Sequence, residues 1–242
     1  MGVEVQILSC ALDGNRSYSL TDRTRASEAR DAGSIPAGST KCSLDVYILS
    51  HKRQYTFVTL YTKKGDTGTT KVFSSKPGER ISKGSCQTEA LGALDELNSF
   101  LGLVKVKDKV TWSIDYKQPA DIIFWVQNCL FTIQAEVAGA EKHITADKVM
   151  KLEMLTDIME RDMPPINTFF ISGGTELASL LDIARTLTRR AEREVVRAVE
   201  SKEAKVVPET LAYLNRLSSL LYAMARLTNH KSGIKEEPPT YK

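Results

Sequence analysis

The sequence predicts an all-α protein, an up-and-down bundle of five helices. Three observations carry this. Apolar residues recur at three- and four-residue steps in separate segments from Gln87 to Asn229. Between those segments lie turn and breaker residues, such as Pro77-Gly78, Pro164-Pro165, Gly173-Gly174 and Pro208. No strands alternate with the helical segments, so nothing calls for a parallel sheet. The chain has 242 residues and is 42% hydrophobic, which suffices for one substantial core. Each fully buried Leu or Ile in such a core contributes roughly 1.5–3 kcal/mol.

Residues 1–54 form a leader that fits no element. They hold no sustained period of 2 or 3.6. Acidic residues at Glu4, Asp13, Asp22, Glu28 and Asp31 argue against a mitochondrial presequence, and no apolar stretch marks a secretory signal. Gly33-Ser34-Ile35-Pro36 back-translates into the common T-arm sequence of a transfer RNA gene. The leader is therefore either a read-through of such a gene in an overlong reading frame or a disordered tail, and it is given no function.

From Tyr55 the chain becomes orderly. Tyr55–Tyr61 is β-branched and aromatic and reads as a short extended piece. The glycine-bearing loop YTKKGDTGTT follows. A first helix is expected over Gln87–Leu103, with Leu91, Leu94, Leu97, Asn98 and Leu101 on one stripe, and a polar loop over 104–119. A second runs from Ala120 to Ala140 on Ile122, Ile123, Val126, Leu130, Ile133 and Val137. A shorter third covers Asp147–Met159, stopped by Pro164-Pro165. NTFFISGG is an extended loop, and Thr175 or Glu176 opens a fourth helix to Glu200. The fifth starts after Pro208, a favoured first-turn residue, and reaches Asn229. The bundle domain spans 55–230 and residues 231–242 are expected as a flexible tail.

Composition narrows function mainly by exclusion. A net charge of +3 gives no footing for nucleic acid or a membrane surface, and no run is apolar enough to span a bilayer. Four scattered Cys without a CxxC pair fit a reducing cytosol better than a disulfide framework or a zinc site.

Several polar residues sit badly in a plain bundle. Arg185, Arg189 and Arg193 are four apart, so like charges stack along the fourth helix, a repulsion of a few tenths of a kcal/mol per pair. Helical geometry puts Arg185, Arg189 and Glu192 at the border of the apolar stripe. Something anionic would relieve the stack; the plain alternative is a solvated basic face with Asp182, Glu192 and Glu194 as local partners. Asp95 borders the first stripe, where it is either exposed or paired with a cation such as Arg185, from its own or a neighbouring chain. Asn215 and Arg216 interrupt the fifth stripe, at the core edge or on the surface. The loop KKGDTGTTKV has the ingredients of a phosphate holder, namely Gly, Lys and Thr, but lacks the GxxxxGK[ST] pattern. A lysine-rich hairpin tip is an equal reading.

Taken in series, YTKKGDTGTT, GERISK, LGALDELNSFLGL, FFISGG, ARTLTRRAEREVV and LNRLSSLLYAMAR resemble the ATP-dependent corrinoid adenosyltransferases, the class that makes adenosylcobalamin from ATP and cob(I)alamin. The leader has no counterpart there. The resemblance implies a five-helix, ferritin-like bundle assembled as a homotrimer, with ATP between adjacent subunits. It implies that Thr62, Lys63, Lys64, Gly65, Thr70 and Lys71 wrap the nucleotide and that Lys83 reaches its phosphates. Arg189, Arg190, Glu192, Arg193 and Asn215 complete the pocket, Asp95 pairs with Arg185 across the subunit boundary, and Phe169 lies under the corrin ring. Catalytic roles fall to Asp95, Arg185, Phe169 and Arg189. Mg²⁺ is held mainly through ATP phosphates, and a corrinoid reductase or a B12-dependent enzyme is an implied partner. Ser172 stands where the family usually has Pro, and Ala93 where Thr is usual. Two other readings use the same chain: a non-catalytic ATP or corrinoid carrier, and a purely structural bundle.

Overall fold

Five helices account for most of the fold: α1 (Cys86–Lys107), α2 (Pro119–Val137), α3 (Ala146–Arg161), α4 (Glu176–Glu200) and α5 (Pro208–Lys231). The structure is a computed structural model and describes residues 61–110 and 112–241. The leader 1–54, its transfer-RNA-like motif and the extended stretch expected before Tyr61 lie outside the described residues.

Cross-helix contacts fix the directions. Glu96 of α1 pairs with Arg190 of α4, and Lys107 with Glu176 at 2.8 Å, so these two helices are antiparallel. Asn215 of α5 meets Glu192 of α4, and Asn229 meets Thr175, again antiparallel. Glu153–Arg216 and Asp162–Lys231 run α3 parallel to α5. The result is the up-and-down arrangement expected from sequence, with α1, α4 and α5 sharing the centre. Leu94, Leu97, Leu101, Leu130, Ile133, Leu181, Val195, Leu214, Leu217 and Leu221 fill the core, and Trp125 meets the buried Tyr213 ring edge-on at 6.1 Å. Burial pushes the Cys129 thiol above its ordinary pKa, so this cysteine is a packed, inert thiol.

Capping explains where the helices begin. The Ser85 hydroxyl accepts from Thr88 N at 3.2 Å and the Thr175 hydroxyl from Ala178 N at 3.1 Å. The N-cap of α5, Val207, has no side-chain cap of its own. Buried Glu136 of α2 serves instead, accepting from Val207 N at 2.7 Å and the Thr210 hydroxyl at 2.5 Å.

Several boundaries differ from the sequence expectation, among them the end of α3, which reaches Arg161 rather than Met159. Helix α1 runs on through Val104–Lys107, because Val104 is buried and Lys105 and Lys107 suit the negative end of the helix dipole. Helix α2 stops at Val137 rather than Ala140: Gly139 takes φ +93, and a Cβ there would stand 2.6 Å from Ser74 Cβ. Helix α5 continues two residues past Asn229. The tail expected to be flexible is also tied at two points, through a Glu236–Arg226 ion pair of 2.9 Å and an Ile171 N to Glu237 O bond of 2.9 Å. Its polar composition hid a buried arginine partner in α5.

Candidate functional site

The quoted loop is a short hairpin. Strand β1 (Thr69–Thr70) pairs antiparallel with β2 (Ile81–Ser82), and Lys83 N donates to Gly68 O at 2.9 Å. Three residues turn through the left-handed region, Lys63 at φ +58, Gly68 at φ +75 and Gly78 at φ +83. Arg80 fastens β1 from the opposite strand, donating from Nε to the Thr69 hydroxyl at 2.9 Å and from its terminal nitrogen to Thr69 O at 2.8 Å. Lys83 lies over Gly65: a Cβ added there would come 3.0 Å from Lys83 Nζ. The sequence-predicted residues Thr62, Lys63, Lys64, Gly65, Thr70, Lys71 and Lys83 thus share one hairpin. Their four lysines are exposed and form no ion pair among the described residues.

A second group occupies the middle of α4 and α5. The Asn215 amide donates to Glu192 Oε1 at 3.2 Å and accepts from Arg216 at 2.8 Å. Arg193 turns back to donate to Arg189 O at 3.0 Å. Arg185 bonds Asp182 at 3.3 Å and lies 5.8 Å over the Tyr222 ring, whose hydroxyl is pushed up in pKa by burial. The local partners expected for a solvated basic face therefore exist for Arg185, while Arg197 has Glu194. Arg189 and Arg193 have no carboxylate partner among the described residues. Arg190 points the other way, to Glu96. Asp95 is exposed and joins no ion pair within the chain.

Phe169 lies elsewhere. It precedes α4, at the end of the bundle opposite the hairpin, and is 77% exposed. Helix α4 alone has 25 residues, about 37 Å at 1.5 Å per residue. A single chain therefore does not bring Phe169 to Lys63 or Lys83. The Phe169 loop is anchored by buried Asn229, which donates to Gly173 O at 2.8 Å and accepts from Thr175 N at 3.1 Å. Gly174 has φ +110, and a Cβ there would sit 2.3 Å from Asn229 Oδ1.

A cobalamin adenosyltransferase family model matches residues 60–228, which takes in the hairpin, the α4–α5 cluster and the Phe169 loop. The chain belongs to the cobalamin adenosyltransferase family. It is 38% identical over 180 residues to a corrinoid adenosyltransferase of Bacillus subtilis, covering 72% of this chain and 89% of that protein. It is 37% identical over 172 residues to the corrinoid adenosyltransferase PduO of Citrobacter freundii, covering 71% of this chain and 50% of that longer protein. A variant PduO-type ATP:corrinoid adenosyltransferase of Lactobacillus reuteri, solved with cobalamin and ATP, superposes with a TM-score of 0.66 at 28% identity, over 76% of this chain and 97% of that one. A second variant of the same enzyme, complexed with ATP, gives 0.65 at 30% identity, over 75% and 100%. The adenosyltransferase bundle so described also contains residues that the sequence reading passed over. Arg80 was inside the quoted GERISK. Asn229 is a helical Asn like Asn215, though buried where Asn215 is exposed, and the rule that a helical Asn wants a partner finds both.

Among the described residues no three His, Cys, Asp or Glu gather as a cation site, and no helix is long and apolar enough to cross a membrane.

Proposed function

We propose that this chain transfers the 5′-deoxyadenosyl group of ATP to the cobalt of cob(I)alamin, or a related corrinoid, releasing triphosphate and forming adenosylcobalamin. The observation that carries the reading is a family member whose hairpin lysines and whose Arg189 and Arg193 all lack carboxylate partners among the described residues. Unpartnered cations suit a polyphosphate. Cobalt in the +1 state attacks the ribose 5′ carbon; the Co–C bond forms as the C–O bond to triphosphate breaks, and the electron pair leaves with the phosphate. The protein supplies neither base nor nucleophile. Its work is alignment and neutralisation of the leaving group. Lys63, Lys64, Lys71 and Lys83 line the phosphates with Arg189 and Arg193; Thr62, Gly65 and Thr70 let the backbone approach; Glu192 and Asn215 hold the nucleoside side. Mg²⁺ arrives on the phosphate oxygens. Phe169 lies against the lower corrin face, excludes a ligand there, and so eases reduction of Co²⁺ by a separate reductase in the cytosol.

This reading requires more than one chain, because the hairpin and Phe169 occupy opposite ends of the bundle. The α1–α4 face supports a homotrimer. Two helical turns from the Glu96–Arg190 pair, on the same side, stand Leu103 (45% exposed) and Ile183 (47%), an apolar strip open to a neighbour. In that assembly Asp95 would pair with Arg185 of the partner subunit. Residues 55–230 form the catalytic body.

The test mixes protein, Mg·ATP and chemically reduced cob(I)alamin and follows the adenosylcobalamin spectrum. Folded protein that gives no conversion overturns the proposal. A carrier would gain thermal stability from ATP, about 2.7 kcal/mol at a hundredfold excess over Kd, without releasing triphosphate; a structural bundle would gain none.

A further inference from the structure

Phe169 is a solvent-exposed aromatic on an irregular loop, and its proposed task demands a fixed position. The residues after it are tied down one by one. Phe170 packs under the Arg226 guanidinium, 5.1 Å from the ring centroid. Ile171 N donates to Glu237 O at 2.9 Å. Gly173 O and Thr175 N are both held by Asn229. Three of the groups involved converge on Arg226: besides Phe170 it bonds Glu236 at 2.9 Å and reaches Pro164 O, at the start of the same loop, at 3.5 Å.

Arg226 is only 6% exposed and its Glu236 partner 17%. Burying such a pair is a poor route to stability, since apolar residues of similar volume do as well or better. Its value lies in specifying one arrangement of the groups around it. Here those groups are the first and middle residues of the Phe169 loop, and a tail joined to the body through this loop and α5. Resting on the proposed function, we infer that Arg226 is a positioning residue for the adenosyl transfer: with Glu236 and Glu237 it straps the C-terminal tail across the 164–171 loop and holds Phe169 ready for the corrin. Asn229 fixes the glycine pair, and Arg226 fixes the half of the loop that carries the aromatic. The strap supplies the stiffness that a proline at Ser172 would otherwise give.

The test compares the full chain with a chain ending at Lys235, which keeps the Ile234 N to Asn229 O bond, and with Glu236→Gln; neither alters the hairpin or α4. Three readouts are taken: kcat with KM for ATP and for cobalamin, the absorption spectrum of bound cob(II)alamin, and amide exchange at Ile171. The shortened chain is expected to lose roughly ten- to a hundredfold in kcat, as misplacement of a positioning group does, while KM for ATP holds. The low-coordinate cob(II)alamin bands weaken and the Ile171 amide exchanges faster. Glu236→Gln, which keeps a hydrogen bond but not the charge, falls between. A merely structural tail would speed exchange and leave kcat and spectrum unchanged, which overturns the inference; so does unchanged exchange. A full chain that folds but turns over no substrate defeats the proposed function itself, and the two failures are told apart by that control.

Discussion

At the end of the bundle where α1 and α5 begin, the hairpin is held by backbone bonds and by one exposed arginine. Arg80 grips Thr69, Gly68 O accepts from Lys83, and Ser74 N reaches Ala138 O at 3.1 Å. At the end where α4 begins, the Phe169 loop is held by two buried polar residues of α5, Asn229 and Arg226. The difference follows from what each segment is proposed to present. A cradle for phosphates must leave its ammonium groups free, so the fastening falls on its main chain and on the Thr69 hydroxyl. A platform for a flat macrocycle must present one side chain rigidly, so its neighbours are pinned by groups that exclude water. The hairpin end spends exposed, weakly held contacts, while the opposite end uses buried ones that are costly to lose.

Four substitutions probe that contrast, from strong to weak. Arg185→Ala is expected to lower kcat by roughly a hundredfold with the melting temperature nearly kept, since loss of its pair with Asp95 would misplace the two subunits' halves of the site, and a misplacement of about 1 Å costs about 10² in rate; full activity would refute its catalytic role. Gly174→Ala attacks the buried anchor. A Cβ 2.3 Å from Asn229 Oδ1 at φ +110 should cost about 2–4 kcal/mol, combining backbone strain with overpacking, seen as an earlier urea midpoint; an unchanged midpoint would mean the anchor yields freely. Lys83→Ala attacks the exposed end. It should raise KM for ATP about tenfold, the worth of one charge-assisted hydrogen bond, and leave the unfolding transition where it was. Should stability fall instead, the hairpin would be structural. Glu96→Ala should change monomer stability by less than about 1 kcal/mol, because its partner Arg190 is exposed; calorimetry of the two chains decides it.

The bundle was legible in the sequence because five apolar stripes repeat at the helical period and breakers separate them. What escaped detection were contacts between residues distant in the chain. Nothing local says that Glu136 caps α5, that Glu236 reaches Arg226, or that Gly139 is small because Ser74 rests on it. At the candidate site, the hairpin residues were readable as one stretch, and the Glu192–Asn215 contact joins two residues singled out separately for sitting badly on their stripes. Asp95 and Arg185 were linked by charge and by the family resemblance; within the chain Arg185 turns to Asp182 and Tyr222, each only a turn or a neighbouring helix away. Phe169 was located in sequence, but its distance from the lysines depends on helix direction, which periodicity does not encode.

The placement of hairpin and aromatic at opposite poles of an up-and-down bundle bears on genetics as well as chemistry. If neighbouring copies lend each other these halves, a copy crippled at Lys83 and another crippled at Phe169 are complementary rather than equally dead. Co-refolded, they would form mixed rings in which some clefts receive both intact halves, and activity at limiting ATP would exceed that of either preparation alone.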